Sequence, residues 1–118
     1  MSKSTRKRKV EEITIISSKE VENYLIIGLS NYKLGKFKEA IDSFRKVIII
    51  EPDHITTHFY LGHSYLRLSK FSEAIKYFEK VTSLNPQYID AYFALGGIYF
   101  KLGNFPEVIK IFGELIKS

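Results

Sequence analysis

The chain has 118 residues, 45% of them apolar, which is enough for a single domain with a hydrophobic core. The absence of cysteine excludes disulfides, thiolate metal sites and thiol chemistry. The formal charge of +5 resides in Lys3, Arg6, Lys7, Arg8 and Lys9, while the other 13 basic residues balance 13 acidic ones, so a uniformly basic body is excluded.

Residues 1 to 17 read as a basic, largely disordered tail with a short apolar segment. Residues 1 to 9 hold almost nothing that could bury apolar area against the entropy of ordering. A Lys-Arg-rich run of this kind serves as a localisation signal, a nucleic-acid contact or a plain solvated tail. Val10 to Ile16 is a cluster of branched aliphatics, expected to lie over the open start of the structure that follows. No apolar run approaches the roughly 18 residues of a membrane span. Val10-Glu11-Glu12 also interrupts the stretch that a secretory signal would need. The expected location is cytoplasmic, or nuclear in a eukaryotic host. Ser17 and Glu20 have capping-box spacing, which predicts a first helix starting near Ser18.

From there the apolar periodicity predicts helices over 19–33, 38–50, 54–67, 72–84, 88–101 and 106–116. Gly35-Lys36, Ser69-Lys70 and Gly103-Asn104 suit helix exits. Pro106 suits a helix start, and Pro52 and Pro86 follow helix ends. Nearly every feature recurs at 34 residues. Tyr24, His58 and Tyr92 align, as do Ile27, Leu61 and Leu95; Gly28, Gly62 and Gly96; Phe37, Phe71 and Phe105; and Phe44, Phe78 and Phe112.

With these residues in register, the chain resembles the tetratricopeptide-repeat proteins, whose signature is W-x2-L-G-x2-Y, then a small residue, an aromatic and a proline, at a period of about 34. The central repeat has His58-x2-Leu61-Gly62-x2-Tyr65, then Ala74, Phe78 and Pro86. The third has Tyr92-x2-Leu95-Gly96-x2-Tyr99, then Phe112, with Val108 at the alanine position. The first has Tyr24-x2-Ile27-Gly28, Asn31 in place of the tyrosine, then Ala40, Phe44 and Pro52. No repeat has the tryptophan. The resemblance implies an all-α fold, a right-handed α-solenoid of helix-turn-helix repeats over 18–118, with units at about 21–54, 55–88 and 89–118.

The resemblance also implies that one face of each first helix lines a concave groove that holds partners. Here that face carries Leu25, Leu29, Tyr32 and Lys33, then Phe59, His63, Leu66 and Arg67, then Phe93, Phe100 and Lys101. The set is more apolar and aromatic than a solvated face requires, although some members are expected to pack between neighbouring first helices. Lys33, Arg67 and Lys101 form a periodic cation ladder, either a site for an acidic group or simply the polar ends of helices. One subclass of the family clamps acidic tails of heat-shock chaperones with lysine, asparagine and arginine. Its clamp positions correspond here to Leu25, Leu29, Tyr60, Asp90 and Ala94, none of which can clamp a carboxylate.

His54 and His58 share a helix face, but zinc needs three or four ligands, and His58 occupies the large-residue signature position, where packing is the expected role. No phosphate loop or nucleophile constellation is present, so neither catalysis nor a metal or other cofactor is expected. The leading reading is a module for protein–protein interaction, adaptor or chaperone-like, binding a hydrophobic or amphipathic segment. In fold and size it is similar to the small three-repeat chaperones of bacterial secretion systems. A second reading is a structural protein that self-associates into a homo-oligomer through Ile109, Phe112, Leu115 and Ile116 of the last helix. Nucleic-acid contact through the basic tail is the least favoured reading.

Overall fold

The computed structural model describes residues 3–117, and of these the side chains at 3, 4 and 14–16 lie outside the description. The described residues form six helices, α1 (Lys3–Lys33), α2 (Phe37–Ile50), α3 (Ile55–Arg67), α4 (Phe71–Leu84), α5 (Ile89–Lys101) and α6 (Phe105–Lys117). They pack in sequence order as pairs α1–α2, α3–α4 and α5–α6. Each pair leans on the next through α2–α3 and α4–α5, and α1 makes a small further contact with α3. The result is an elongated body of 61 × 34 × 17 Å.

The turn within each pair follows from one backbone device. Gly35, Ser69 and Gly103 take φ of 78°, 57° and 75°, the left-handed region that ends a helix. The next amide then reaches back five residues, from Lys36 to Asn31, Lys70 to Tyr65 and Asn104 to Tyr99, at 2.8 to 2.9 Å. These bonds satisfy carbonyls that the ending helix would leave orphaned.

Packing within each pair depends on a glycine facing a phenylalanine. A Cβ at Gly28 would meet the Phe44 ring, one at Gly62 the Phe78 ring, and one at Gly96 the Phe112 ring. Phe44 and Phe78 are fully buried beside Ala40 and Ala74, with Leu61 and Leu95 completing the centre. The core is therefore a row of similar cells, as expected when each unit can bury its apolar face only against its neighbours.

The N-terminal segment differs from the sequence expectation. No break occurs near Ser18, and Ser17 and Glu20 lie inside α1, so they cap nothing. The tail expected to be disordered is helical from Lys3. The first 27 residues contain neither glycine nor proline, and extending a formed helix requires no new nucleus. Val10 and Ile13 are each 63% exposed, so they do not cover the start of the first pair. The part of that expectation resting on Ile15 and Ile16 concerns side chains outside the description.

Candidate functional site: the first-helix face and the third-pair edge

The first helices are held in place by local chemistry. His54 caps α3 by accepting the Thr57 amide on Nδ1 at 3.3 Å, with the Thr57 hydroxyl 2.8 Å from the same nitrogen. The Nε2 of His58 donates to the Pro52 carbonyl at 2.6 Å, which ties the helix to the preceding turn. Both rings therefore have structural work that explains their spacing. The Nδ1 of His58 is buried without a hydrogen-bond partner among the described residues.

On the face singled out from the sequence, Leu25, Leu29 and Tyr32 are half-buried against the Ala40–Phe44–Leu61 cluster. Tyr32 meets Tyr60 of the following pair edge-on at 5.3 Å. Phe59 is similarly engaged, with ring centroids 4.5 Å from His63, 5.8 Å from Phe78 and 5.1 Å from Tyr88 of the following pair. Leu66 is half-buried against the same core. These residues pack between neighbouring first helices and also present part of their surface. Burial of the His63 imidazole lowers its pKa below the ordinary 6.5, an effect to which Arg67 adds and which Asp90 opposes.

Phe93 and Phe100 sit differently. They are 57% and 64% exposed, although they occupy the register of Phe59 and Leu66. Phe93 meets Phe112 at 5.5 Å and Phe100 meets Phe105 at 5.4 Å, both on α6. In this way the structure joins two residue sets that the sequence reading kept apart. At the third pair, the groove residues run directly into the α6 edge, where Ile109 and Ile116 are 75% and 84% exposed and Phe112 and Leu115 are half-buried.

The cation ladder also acquires neighbours. The Arg67 guanidinium lies 4.9 Å from the Phe37 ring centre, and the Lys101 ammonium lies 5.4 Å from Phe71. Each links one pair to the pair before it by a cation–π contact. The sequence reading missed this link, although the 30-residue offset from Phe37 to Arg67 repeats from Phe71 to Lys101. Lys33 is exposed at the start of the row. A separate cleft of about 500 Å³, bordered by Ile48, His58, Tyr77 and Lys80, includes none of the groove residues. No described helix is long and apolar enough to cross a membrane.

Comparison with known families matches three models that together tile residues 10 to 118. One described as "Anaphase-promoting complex, cyclosome, subunit 3" covers residues 10–81, more than half the chain. "TPR repeat" covers 62–103 and "Tetratricopeptide repeat" covers 89–118. No curated protein matches the sequence at a significant level. Among solved structures, a crystal structure of MamA is 28% identical, with a TM-score of 0.79 over 82% of this chain and 57% of that one. The chain thus spans little more than half the length of that MamA structure. The first tetratricopeptide domain of Spaghetti (RPAP3), bound to the HSP90 peptide SRMEEVD, is 27% identical, with a TM-score of 0.76 over 85% of this chain and 79% of that one. The TPR2B domain of yeast Sti1, in complex with pHsp70, has a TM-score of 0.75 over 81% of this chain and 77% of that one, and at 14% identity it shares the fold alone. Glycine-facing phenylalanines, left-handed turn residues and paired helices at one 34-residue period, together with these matches, show that the chain belongs to the tetratricopeptide-repeat family.

Proposed function

We propose that the chain is a non-catalytic protein-interaction module whose first helices hold an apolar or amphipathic segment of another protein. The observation that carries this reading is the face of α1 and α3. There Leu25, Leu29, Tyr32, Phe59, His63 and Leu66 keep part of their surface open beside the row Lys33, Arg67 and Lys101. A face of this kind gains little from water and much from an apolar side chain, and aromatic residues are the usual anchors of such contacts. The peptide held by the RPAP3 domain supports a peptide-binding role for this chain.

The chemistry of the ligand would differ. SRMEEVD is acidic, whereas Leu25, Leu29, Tyr60, Asp90 and Ala94 offer no cation to receive carboxylates. Tyr60 is turned instead onto the rings of Tyr32 and Phe44. An amphipathic helix or an extended apolar segment suits the face better.

Selection from a displayed library of random dodecapeptides tests the reading, with SRMEEVD as a second probe. The expected outcome is enrichment of peptides with spaced large apolar residues and no measurable affinity for SRMEEVD. A His63→Glu, Leu66→Glu variant that remains helical by circular dichroism should lose the enriched peptides. Failure to enrich any peptide, or equal binding by the variant, overturns the groove assignment.

A further inference from the structure

The first turns of α1 carry a charge cluster that the repeat body does not use. α1 runs for 31 residues, yet Val21 is its first buried residue among those described. At about 1.5 Å per residue, Arg6 to Lys9 therefore stand roughly 18 to 22 Å along the helix from the packed body. Every side chain from Thr5 to Ile13 is exposed. Four consecutive residues at about 100° each distribute Arg6, Lys7, Arg8 and Lys9 around the whole circumference, so no side of this segment lacks a cation. Glu11 and Glu12 follow Lys7 and Arg8 by one turn, which is the weaker order for such pairs. None of the four cations forms an ion pair among the described residues. The first turn also has no acidic residue to offset the positive end of the helix dipole.

We propose that this projecting helix end is a sequence-independent docking element for duplex DNA, lying in the major groove with Arg6, Lys7, Arg8 and Lys9 directed at phosphates on both walls. Charge and shape together select the occupant. A helix with its side chains is about 10–12 Å across, and the major groove of B-form DNA is about 12 Å wide with phosphates along both edges. A segment that is cationic all round matches a partner that surrounds it. A membrane surface meets only one side of a helix, and binding there needs an apolar face opposite the cations. Val10 and Ile13, both exposed, instead fall within about 40° of Arg6 around the helix, so apolar and cationic side chains share a side. Duplex RNA has a deep, narrow major groove that does not admit the helix. Residues 10–118 carry no net formal charge, so the attraction is confined to this end. Its separation from the body exceeds the groove depth of about 8.5 Å, which keeps the repeats outside the groove.

The inference does not rest on the groove reading, because no residue altered in its test belongs to the first-helix face. Fluorescence anisotropy of a short labelled DNA duplex of mixed sequence, titrated with the intact chain, measures the affinity. Three or four phosphate contacts predict that raising salt from about 50 to about 200 mM weakens binding roughly 40- to 150-fold. A variant combining Arg6→Gln, Lys7→Gln, Arg8→Gln and Lys9→Gln should lose the binding with its thermal melt unchanged. Removing the same charge from the body, as Lys36→Gln, Lys38→Gln, Lys70→Gln and Lys110→Gln, should leave most of the affinity intact. Duplex RNA of the same length, vesicles of equal parts phosphatidylcholine and phosphatidylserine, and polyglutamate serve as competing probes, and each should bind more weakly than the DNA. Absence of DNA binding at the lower salt, retention of binding by the Arg6–Lys9 variant, or its loss in the body variant overturns the proposal. Tighter binding to the RNA, the vesicles or polyglutamate overturns the DNA assignment and gives the helix end to that partner.

Discussion

The Phe78 ring occupies the space that Gly62 leaves open, with Cε1 2.8 Å from where a Cβ on residue 62 would stand. Gly62→Ala is therefore expected to destabilise the array by about 1–3 kcal/mol through overpacking. Phe78→Ala, which empties a fully buried site, should cost about 3–5 kcal/mol. The double variant should lose clearly less than the sum, because alanine at 62 then enters vacated space. Urea denaturation of the four proteins measures the coupling, and strict additivity would refute the pairing.

Ser69 holds the left-handed turn position that glycine holds in the other two repeats. A side chain there costs roughly 1–2 kcal/mol, partly offset by the greater freedom of glycine in the unfolded chain. Ser69→Gly should stabilise the array by about 1 kcal/mol, whereas Gly35→Ala and Gly103→Ala should each destabilise it by a similar amount. Thermal melts of the three variants check both directions.

Burial depresses the pKa of His63, so the unfolded chain binds a proton there more readily than the folded one. Its contribution to stability is complete above the ordinary value of 6.5 and is lost as pH falls through that value toward the lower folded pKa. Denaturation midpoints should drop on acidification over this window. His63→Gln should flatten that part of the curve, and an unchanged slope would assign the effect to other groups.

The contact between Arg67 and Phe37 predicts a coupling of about 0.5–1 kcal/mol between two residues 30 positions apart. Removing both, as Arg67→Gln with Phe37→Leu, should cost less than the two single losses together. Lys101 with Phe71 should behave alike, because the same geometry recurs one repeat later.

The repeat architecture was legible because the glycines, aromatics and turn residues that build it recur at a fixed interval, and periodicity survives even where Asn31 and Val108 depart from the pattern. Five of the six helices begin and end within one or two residues of their expected limits. The start of α1 was not legible. Ser17 and Glu20 have the spacing of a cap, but a cap acts only where the chain turns, and no breaker stands before them. The first-helix face follows from helical geometry and the family resemblance, which give direction but not degree of cover. That Phe59 is half-buried and Phe93 mostly exposed depends on the presence of a following pair, a property of position in the array. The cation–π links escaped because they join side chains from different pairs.

Helices that touch chiefly their sequence neighbours impose an order on synthesis as well as on form. Contacts close over short stretches of chain, which favours rapid folding. The first pair can assemble while the third is still being translated. At each stage the newest second helix shows an apolar edge until the next first helix arrives to cover it, so a pause in translation would expose an adhesive surface. The edge that α6 presents, with Ile109 and Ile116 exposed, is a surface of the same kind.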